Sequence, residues 1–336
     1  MCRKIFLALL LATFSANQIT AQCLGSCSCS TANTETAGHK TTEAKGEWLI
    51  TTGYSVTHYT PFSDDELIKF ATDSASVYTV NSQQSFKAGL QYNLTDRLRL
   101  SAVMPYNLSY DNREGMVHTS THTMVNDYGN VHGFGDVTVF AKYQWLKSNN
   151  WSLETGLGLK LPIGQTNTST STGLVAPPHL QPGTGSWDPV ASLQVRRMWG
   201  RWLISEDVFG KIATTANDHN MGNYVGATTS VNYQLIRQSA SKNTGLALLG
   251  GALVEYNSKM KMPVNHNHGG DPVPDQEIVP FDNSGFTRII AISGIVISPG
   301  KHFNVPLTCS VPVFEEYNGH QVSMKWKASA GFNVSF

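Results

Sequence analysis

Gln321-Val322-Ser323-Met324-Lys325-Trp326-Lys327-Ala328-Ser329-Ala330-Gly331-Phe332-Asn333-Val334-Ser335-Phe336 alternates throughout. The even positions, from Val322, Met324 and Trp326 to Phe332, Val334 and Phe336, are all apolar. The odd positions, from Gln321, Ser323, Lys325 and Lys327 to Ser335, are polar or glycine. In an extended chain successive side chains point to opposite faces. The stretch therefore predicts a strand with one apolar and one polar face. A soluble sandwich strand can alternate too. A bare aromatic at the end of the apolar face fits better to a wall with lipid outside and a polar lumen inside.

Residues 1–21 read as a cleaved signal peptide. Arg3 and Lys4 are basic, Ile5 to Phe14 form a short apolar run, and Ala21 offers a small residue before the cut. Acylation of Cys23 is the competing reading. Gln22 argues against it, since a small residue is expected there. No later stretch approaches the roughly 18 apolar residues of a membrane helix. Only helices and closed barrels satisfy every backbone group in lipid, so an exported chain without such a helix can still span as a barrel. Charged residues are 14 per cent, against about 25 per cent in soluble domains. The 40 per cent of hydrophobic residues is too low for a helical membrane protein. The formal net charge is zero, so no nucleic acid is expected as a partner. The aromatic last strand resembles the signal that the outer-membrane barrel-assembly machinery recognises. That machinery, acting through the strand ending in Phe336, and outer-membrane lipid are the expected partners.

Alternating segments of roughly ten residues fill the chain, the length of tilted barrel strands. They begin near Trp48, Phe86, Leu98, Val137, Trp151, Ser186, Arg201, Val225, residue 245, residue 285, Phe303 and Gln321. The segments at 245–256 and 285–297 are apolar on both parities, which leaves their facing open. Short turns at Thr95-Asp96, Ser148-Asn149-Asn150, Trp199-Gly200 and Ser298-Pro299-Gly300 alternate with long polar connections near 60–82, 109–131, 166–184 and 258–284. The pattern predicts an all-β fold: a closed antiparallel transmembrane β-barrel of about twelve strands over residues 46–336. Ten or fourteen strands would follow if an ambiguous segment were misread. Residues 22–45 form a flexible Cys-containing segment before it. Trp48, Trp145, Trp151, Trp199 and Trp202 fall beside the short turns, where an interfacial girdle belongs.

Three motifs occur in succession: Gly133-Phe134-Gly135-Asp136-Val137, then Leu157-Gly158-Leu159-Lys160-Leu161-Pro162-Ile163-Gly164, then Gln181-Pro182-Gly183-Thr184-Gly185-Ser186-Trp187-Asp188-Pro189. The succession resembles the outer-membrane family described as the MetA pathway of phenol degradation, whose members are labelled transporters. The motifs cover about residues 131–202, and the strand pattern extends the likeness over most of the mature chain. The resemblance implies a barrel in the bacterial outer membrane that passes small solutes, often hydrophobic or aromatic. The motif residues themselves read as corner formers: the glycines let the backbone bend where loops meet the wall.

By parity Lys87, Arg97, Arg99, Asp136, Lys142, Glu154, Lys160, Lys325 and Lys327 line the lumen. Asp207 and Lys211 are further inward candidates. They either pair into an internal network or line an open pore, since twelve strands lie between filled and open barrels. A second reading is a soft-metal barrel. Met116, His118, His122 and Met124 crowd one loop, Met260, Met262, His266 and His268 another, and Cys23, Cys27 and Cys29 open the mature chain. These ligand types suit copper or zinc. No cofactor is expected on the first reading. The remaining readings are a structural barrel and a lipid hydrolase of the outer membrane. The chain has no Gly-x-Ser-x-Gly elbow, so no enzyme is expected. It also has no Gly-x-x-x-x-Gly-Lys loop to couple transport to a nucleotide.

Overall fold

The computed structural model describes residues 45–74, 76–119, 122–148, 150–238, 244–263 and 278–336. The expected signal peptide and all but the last residue of the Cys-containing segment lie outside these residues. The elements are β1 Trp48–Tyr59, α1 Asp64–Ser74, β2 Ser76–Thr79, β3 Ser82–Asn93, β4 Leu98–Thr119, β5 His122–Phe134, β6 Val137–Lys147, β7 Trp151–Leu161 and β8 Asp188–Trp199. They continue with β9 Trp202–Lys211, β10 Tyr224–Ile236, β11 Gly245–Asn257, β12 Lys261–Pro263, β13 Ile278–Pro280, β14 Phe286–Gly300, β15 Phe303–Tyr317 and β16 Met324–Ser335.

Twelve of these strands make the wall, in the order β4-β3-β1-β16-β15-β14-β11-β10-β9-β8-β7-β6, and β6 pairs back onto β4. The closing ladder runs from Leu98↔Tyr143 to Val103↔Thr138. The first and last strands meet from Leu49↔Ser335 to His58↔Trp326. Trp48 N donates to Phe336 O at 2.8 Å, and Phe336 N donates to Trp48 O at 3.0 Å. Each predicted segment is one wall strand, and the count is twelve. Closure matters because an open edge would leave backbone groups unsatisfied in lipid.

The alternation sorts residues as lipid outside demands. Ile50, Tyr54, Leu90, Leu100, Leu157 and Val254 are exposed on the outer face, whereas Ser55, Lys87, Arg99, Glu154, Asn304 and Asn333 are buried inside. The five girdle tryptophans, Trp48, Trp145, Trp151, Trp199 and Trp202, are all exposed near the short-turn rim. Arg197 lies over the Trp151 ring at 4.9 Å.

The terminal strand departs from its simple reading in one place. The register steps from His58↔Trp326 to Tyr59↔Met324, which leaves Lys325 in a bulge. A bulge reverses the facing of whatever follows it. Val322 and Met324, expected on the lipid face, are instead buried inside against Tyr59 and Ile290. The single apolar face therefore runs only from Trp326 to Phe336.

The long connections hold structure that alternation alone does not show. α1 begins with a capping box: Ser63 N donates to Glu66 Oε2 at 2.8 Å, and Glu66 N donates to Ser63 Oγ at 3.3 Å. Asp64, Asp65 and Glu66 fill its first turn, where the helix dipole favours acidic groups. It buries Leu67 and Ala71. A side chain at Gly115 of β4 would place Cβ only 2.5 Å from Leu67 O, so glycine is what admits the helix there. The upper half of β4 leaves the wall and pairs with β5 as a hairpin, from Tyr106↔Phe134 to Thr119↔His122, with β2 on its other edge.

Candidate lumen site

Three groups of inward side chains build the interior. The first lies at the loop rim, where β6, β7 and β8 meet. Lys160 Nζ is 3.2 Å from Asp136 Oδ2 and 2.7 Å from Asp188 Oδ2, and it donates to Ser186 Oγ at 3.1 Å and to Thr184 Oγ1. Backbone amides complete the carboxylates: Gly164 N donates to Asp136 Oδ1 at 3.0 Å, Thr184 N to Asp136 Oδ2 at 2.8 Å, and Thr214 N to Asp188 Oδ1 at 2.9 Å. The three motifs of the sequence thus converge on one corner. Their glycines are stacked. A Cβ on Gly164 would lie 2.6 Å from Gly135 C, and one on Gly183 would lie 2.6 Å from Gly164 C.

A second group lies near the short-turn rim. Arg99 Nη2 pairs with Glu154 Oε2 at 3.0 Å, and Lys142 Nζ stands 3.9 Å from Glu154 Oε1. Of the remaining predicted lumen residues, Lys87 is buried and faces Gly53 and Pro105 in register. Its Nζ has no hydrogen-bond partner among the described residues. Lys327 is partly buried opposite Thr57 and Ser310. Arg97 is placed differently: it is exposed in the turn before β4, where parity no longer applies. Lys325 is exposed at the bulge described above. Asp207 and Lys211 are buried, and Gln194 Nε2 donates to Asp207 Oδ1.

The third group is apolar, and parity reading left it undecided. Leu249 and Leu253 of β11 and Ile290, Ile292 and Val296 of β14 are buried inside as one cluster. Leu248, Val254 and Tyr256 of β11 are exposed outside. This explains why the two segments are apolar on both parities: lipid covers one face and a hydrophobic interior lies on the other. Phe209, Tyr224 and Val190 form a further internal patch with Phe140 against it. Its rings lie 6.2 Å (Phe140–Phe209) and 6.1 Å (Phe209–Tyr224) apart. Tyr224 Oη donates to Glu255 Oε2 at 2.9 Å, and Arg288 Nη2 pairs with Glu255 Oε1 at 2.6 Å. Apolarity on both parities is the signal that could have identified the β11–β14 stripe.

The long connections knit together over the loop rim. Phe70 of α1 stacks on His320 at 4.1 Å. Asn283 Nδ2 donates to Ser74 Oγ at 2.8 Å and to Ser76 O at 2.6 Å, while Asn283 Oδ1 accepts from His320 N at 2.8 Å. Tyr78 meets the His179 ring edge-on at 3.8 Å. His179 is buried, and neither ring nitrogen has a hydrogen-bond partner among the described residues. Burial, aided by nearby His219, pushes its pKa down to about 3. The unfolded chain would take up a proton on this imidazole near pH 6.5. Stability from the neutral ring is therefore full above that pH and is lost as pH falls toward the folded value. Limited proteolysis of the loop rim should accelerate between pH 7 and pH 4, and His179→Leu should flatten that dependence.

Among the described residues, those of the soft-metal reading fall on the β4–β5 hairpin and on the connection that carries β12. Met116 and Met124 are cross-strand neighbours on the β4–β5 hairpin, and Asn126 Nδ2 donates to Met116 Sδ at 2.9 Å. His118 and His122 lie near its tip. Met260 is buried and Met262 is on β12. Cys23, Cys27, Cys29, His266 and His268 lie outside the described residues. Among the described residues no three His, Cys, Asp or Glu side chains converge as a metal site, and no helix is long and apolar enough to cross a membrane.

Residues 108–241 match the family described as "Putative MetA-pathway of phenol degradation". An outer membrane channel from Pseudomonas putida F1 has a similar fold, with a TM-score of 0.57 and 14% identity over 87% of this chain and 96% of that one. A mutant of the TodX monoaromatic hydrocarbon channel aligns at a TM-score of 0.43 and 9% identity over 87% of this chain and 90% of that one. The β domain of the Bordetella autotransporter BrkA aligns at 0.40 and 12% identity over 87% and 100%. No curated protein matches the chain in sequence. The likeness to the Pseudomonas putida protein is one of fold, a closed antiparallel β-barrel.

Proposed function

We propose, starting from the match of residues 108–241 to a family described by phenol degradation, that this outer-membrane barrel lets small apolar or aromatic solutes pass by diffusion. The observation that carries the reading is the internal stripe Leu249, Leu253, Ile290, Ile292 and Val296. A barrel that passed only ions and sugars would have no need of a hydrophobic strip inside its wall. The neighbouring rings of Phe140, Phe209 and Tyr224 suit an aromatic guest, since ring pairs add roughly 0.5–1.5 kcal/mol to simple burial. The similar channel from Pseudomonas putida supports a passage role over a catalytic one. The last strand, closed onto Trp48 and ending in Phe336, serves in this account as the handle for barrel assembly.

Uptake of the neutral dye 1-N-phenylnaphthylamine by intact cells tests the reading. Cells carrying the barrel should take up the dye several times faster than cells without it. Leu253→Glu combined with Ile292→Glu should abolish most of that difference, because an unpaired carboxylate opposes an apolar guest by several kcal/mol and about 1.4 kcal/mol is already tenfold. Equal uptake with and without the barrel would contradict the proposal. Heat-modifiable gel migration confirms that the double variant folds.

A further inference from the structure

The wall is not evenly stitched. β14 and β15 pair from Phe286↔Tyr317 down to Gly300↔Phe303, with register shifts at Ile289/Ile290 and Ile297/Gly300. β15 and β16 pair at Phe303 and Asn304, then only from Leu307↔Ala330 to Ser310↔Lys327. Pro306 stands in the first interruption and Pro312 just above the last pair. Proline has no N–H to give to a ladder, so it weakens a wall strand wherever its nitrogen faces a neighbour. Above Ser310 the bulge at Lys325 shifts β16 further. There Met324 N donates to a side chain, Glu315 Oε1, at 3.2 Å. The same oxygen accepts from Tyr317 Oη at 2.6 Å.

Apolar groups lie on both sides of this seam. Met324, Val322, Tyr59 and Ile290 of the internal cluster lie behind it. Val311, Val313 and Trp326 are exposed on the lipid side. Ser310 is seven residues above Phe303. At about 3.3 Å per residue and a tilt near 40°, the regular β15–β16 ladder ends roughly 18 Å above the short-turn rim, within the outer half of the hydrocarbon layer. An apolar solute that continued down the lumen would instead meet Arg99, Glu154 and Lys142, where ions and their water oppose it.

We propose that the upper β15–β16 seam is a lateral exit through which apolar solutes leave the internal cluster for the lipid, with the Glu315 carboxylate as its latch. The proposal rests on the passage reading above and names its route. No bond is made or broken in the step.

The test locks the seam. In a chain whose Cys23, Cys27, Cys29 and Cys309 are replaced by serine, Val311→Cys and Trp326→Cys occupy positions that the register Cys309↔Ala328 would bring opposite one another if the ladder continued. Oxidation, verified by mass spectrometry, should lower the barrel-dependent rate of 1-N-phenylnaphthylamine uptake at least tenfold. A reductant should restore it, while potassium chloride conductance stays the same in both states. Glu315→Ala needs no cross-link and should raise the dye rate severalfold. Equal dye rates in the oxidised and reduced barrel, or no change in Glu315→Ala, would overturn the lateral exit and leave the passage reading standing. No barrel-dependent dye uptake in any of these proteins would overturn the passage reading itself.

Discussion

Lys160→Ala should lower the stability of the barrel by about 3–5 kcal/mol, the range for removing one partner of a buried ion pair. The side chain bridges Asp136 and Asp188 at 3.2 and 2.7 Å, and all three are almost wholly buried. Without the ammonium, two carboxylates face each other in a site built to exclude water. The loss should be read as a lower temperature at which the compact gel band converts to the unfolded one. A triple variant, Lys160→Met with Asp136→Asn and Asp188→Asn, should recover most of it. The amide oxygens can still accept from Gly164 N, Thr184 N and Thr214 N, and no charge is left unpaired. If the single variant matched the wild type, the corner would not be a closed electrostatic unit.

Gly164→Val should be comparably damaging for a different reason. Its Cβ would lie 2.6 Å from Gly135 C and 2.7 Å from Asp136 N. Both obstacles are backbone, so neither can rotate away as a side chain would. Overpacking ordinarily costs about 1–3 kcal/mol, and here it also pushes Asp136 away from Lys160. We expect little folded barrel in the outer membrane. Gly173→Val, at a position where a Cβ meets nothing within 4 Å, is a useful contrast. Its strain comes from a positive φ of 85° alone, so its effect should be smaller. The heat-modifiable fraction of each protein in isolated envelopes measures the difference.

The wall was legible because lipid enforces a rule on one face of each strand. Where the interior is polar, as from Phe86 to Asn93 on β3, the period of two is plain in the residues. It fails where the interior is also apolar, so Leu249 and Leu253 could not be told from Leu248 and Val254 by parity. It fails again at Lys325, because one extra residue reverses the facing of Val322 and Met324 with no mark in the alternation. The inward facing of Asp136, Glu154 and Lys160 follows from parity. Their partners do not, since Thr184 and Ser186 are delivered by the chain that folds back between β7 and β8, and Asp188 by the first position of β8. Arg97 shows the same limit in reverse: it sits in a turn, where strand periodicity assigns no face. α1 could have been read from Ser63-Asp64-Asp65-Glu66 and the apolar Leu67, Phe70 and Ala71 that follow. The polar character of the whole connection hides that signal.

A hydrophobic strip inside the wall requires β11 to carry two apolar faces with different surroundings. Single cysteines at Leu248, Leu249, Leu253 and Val254, in a chain freed of its native cysteines, can carry a fluorophore quenched by doxyl-labelled lipid. The account predicts strong quenching at 248 and 254 and little at 249 and 253. Equal quenching at all four positions, or the opposite alternation, would contradict it.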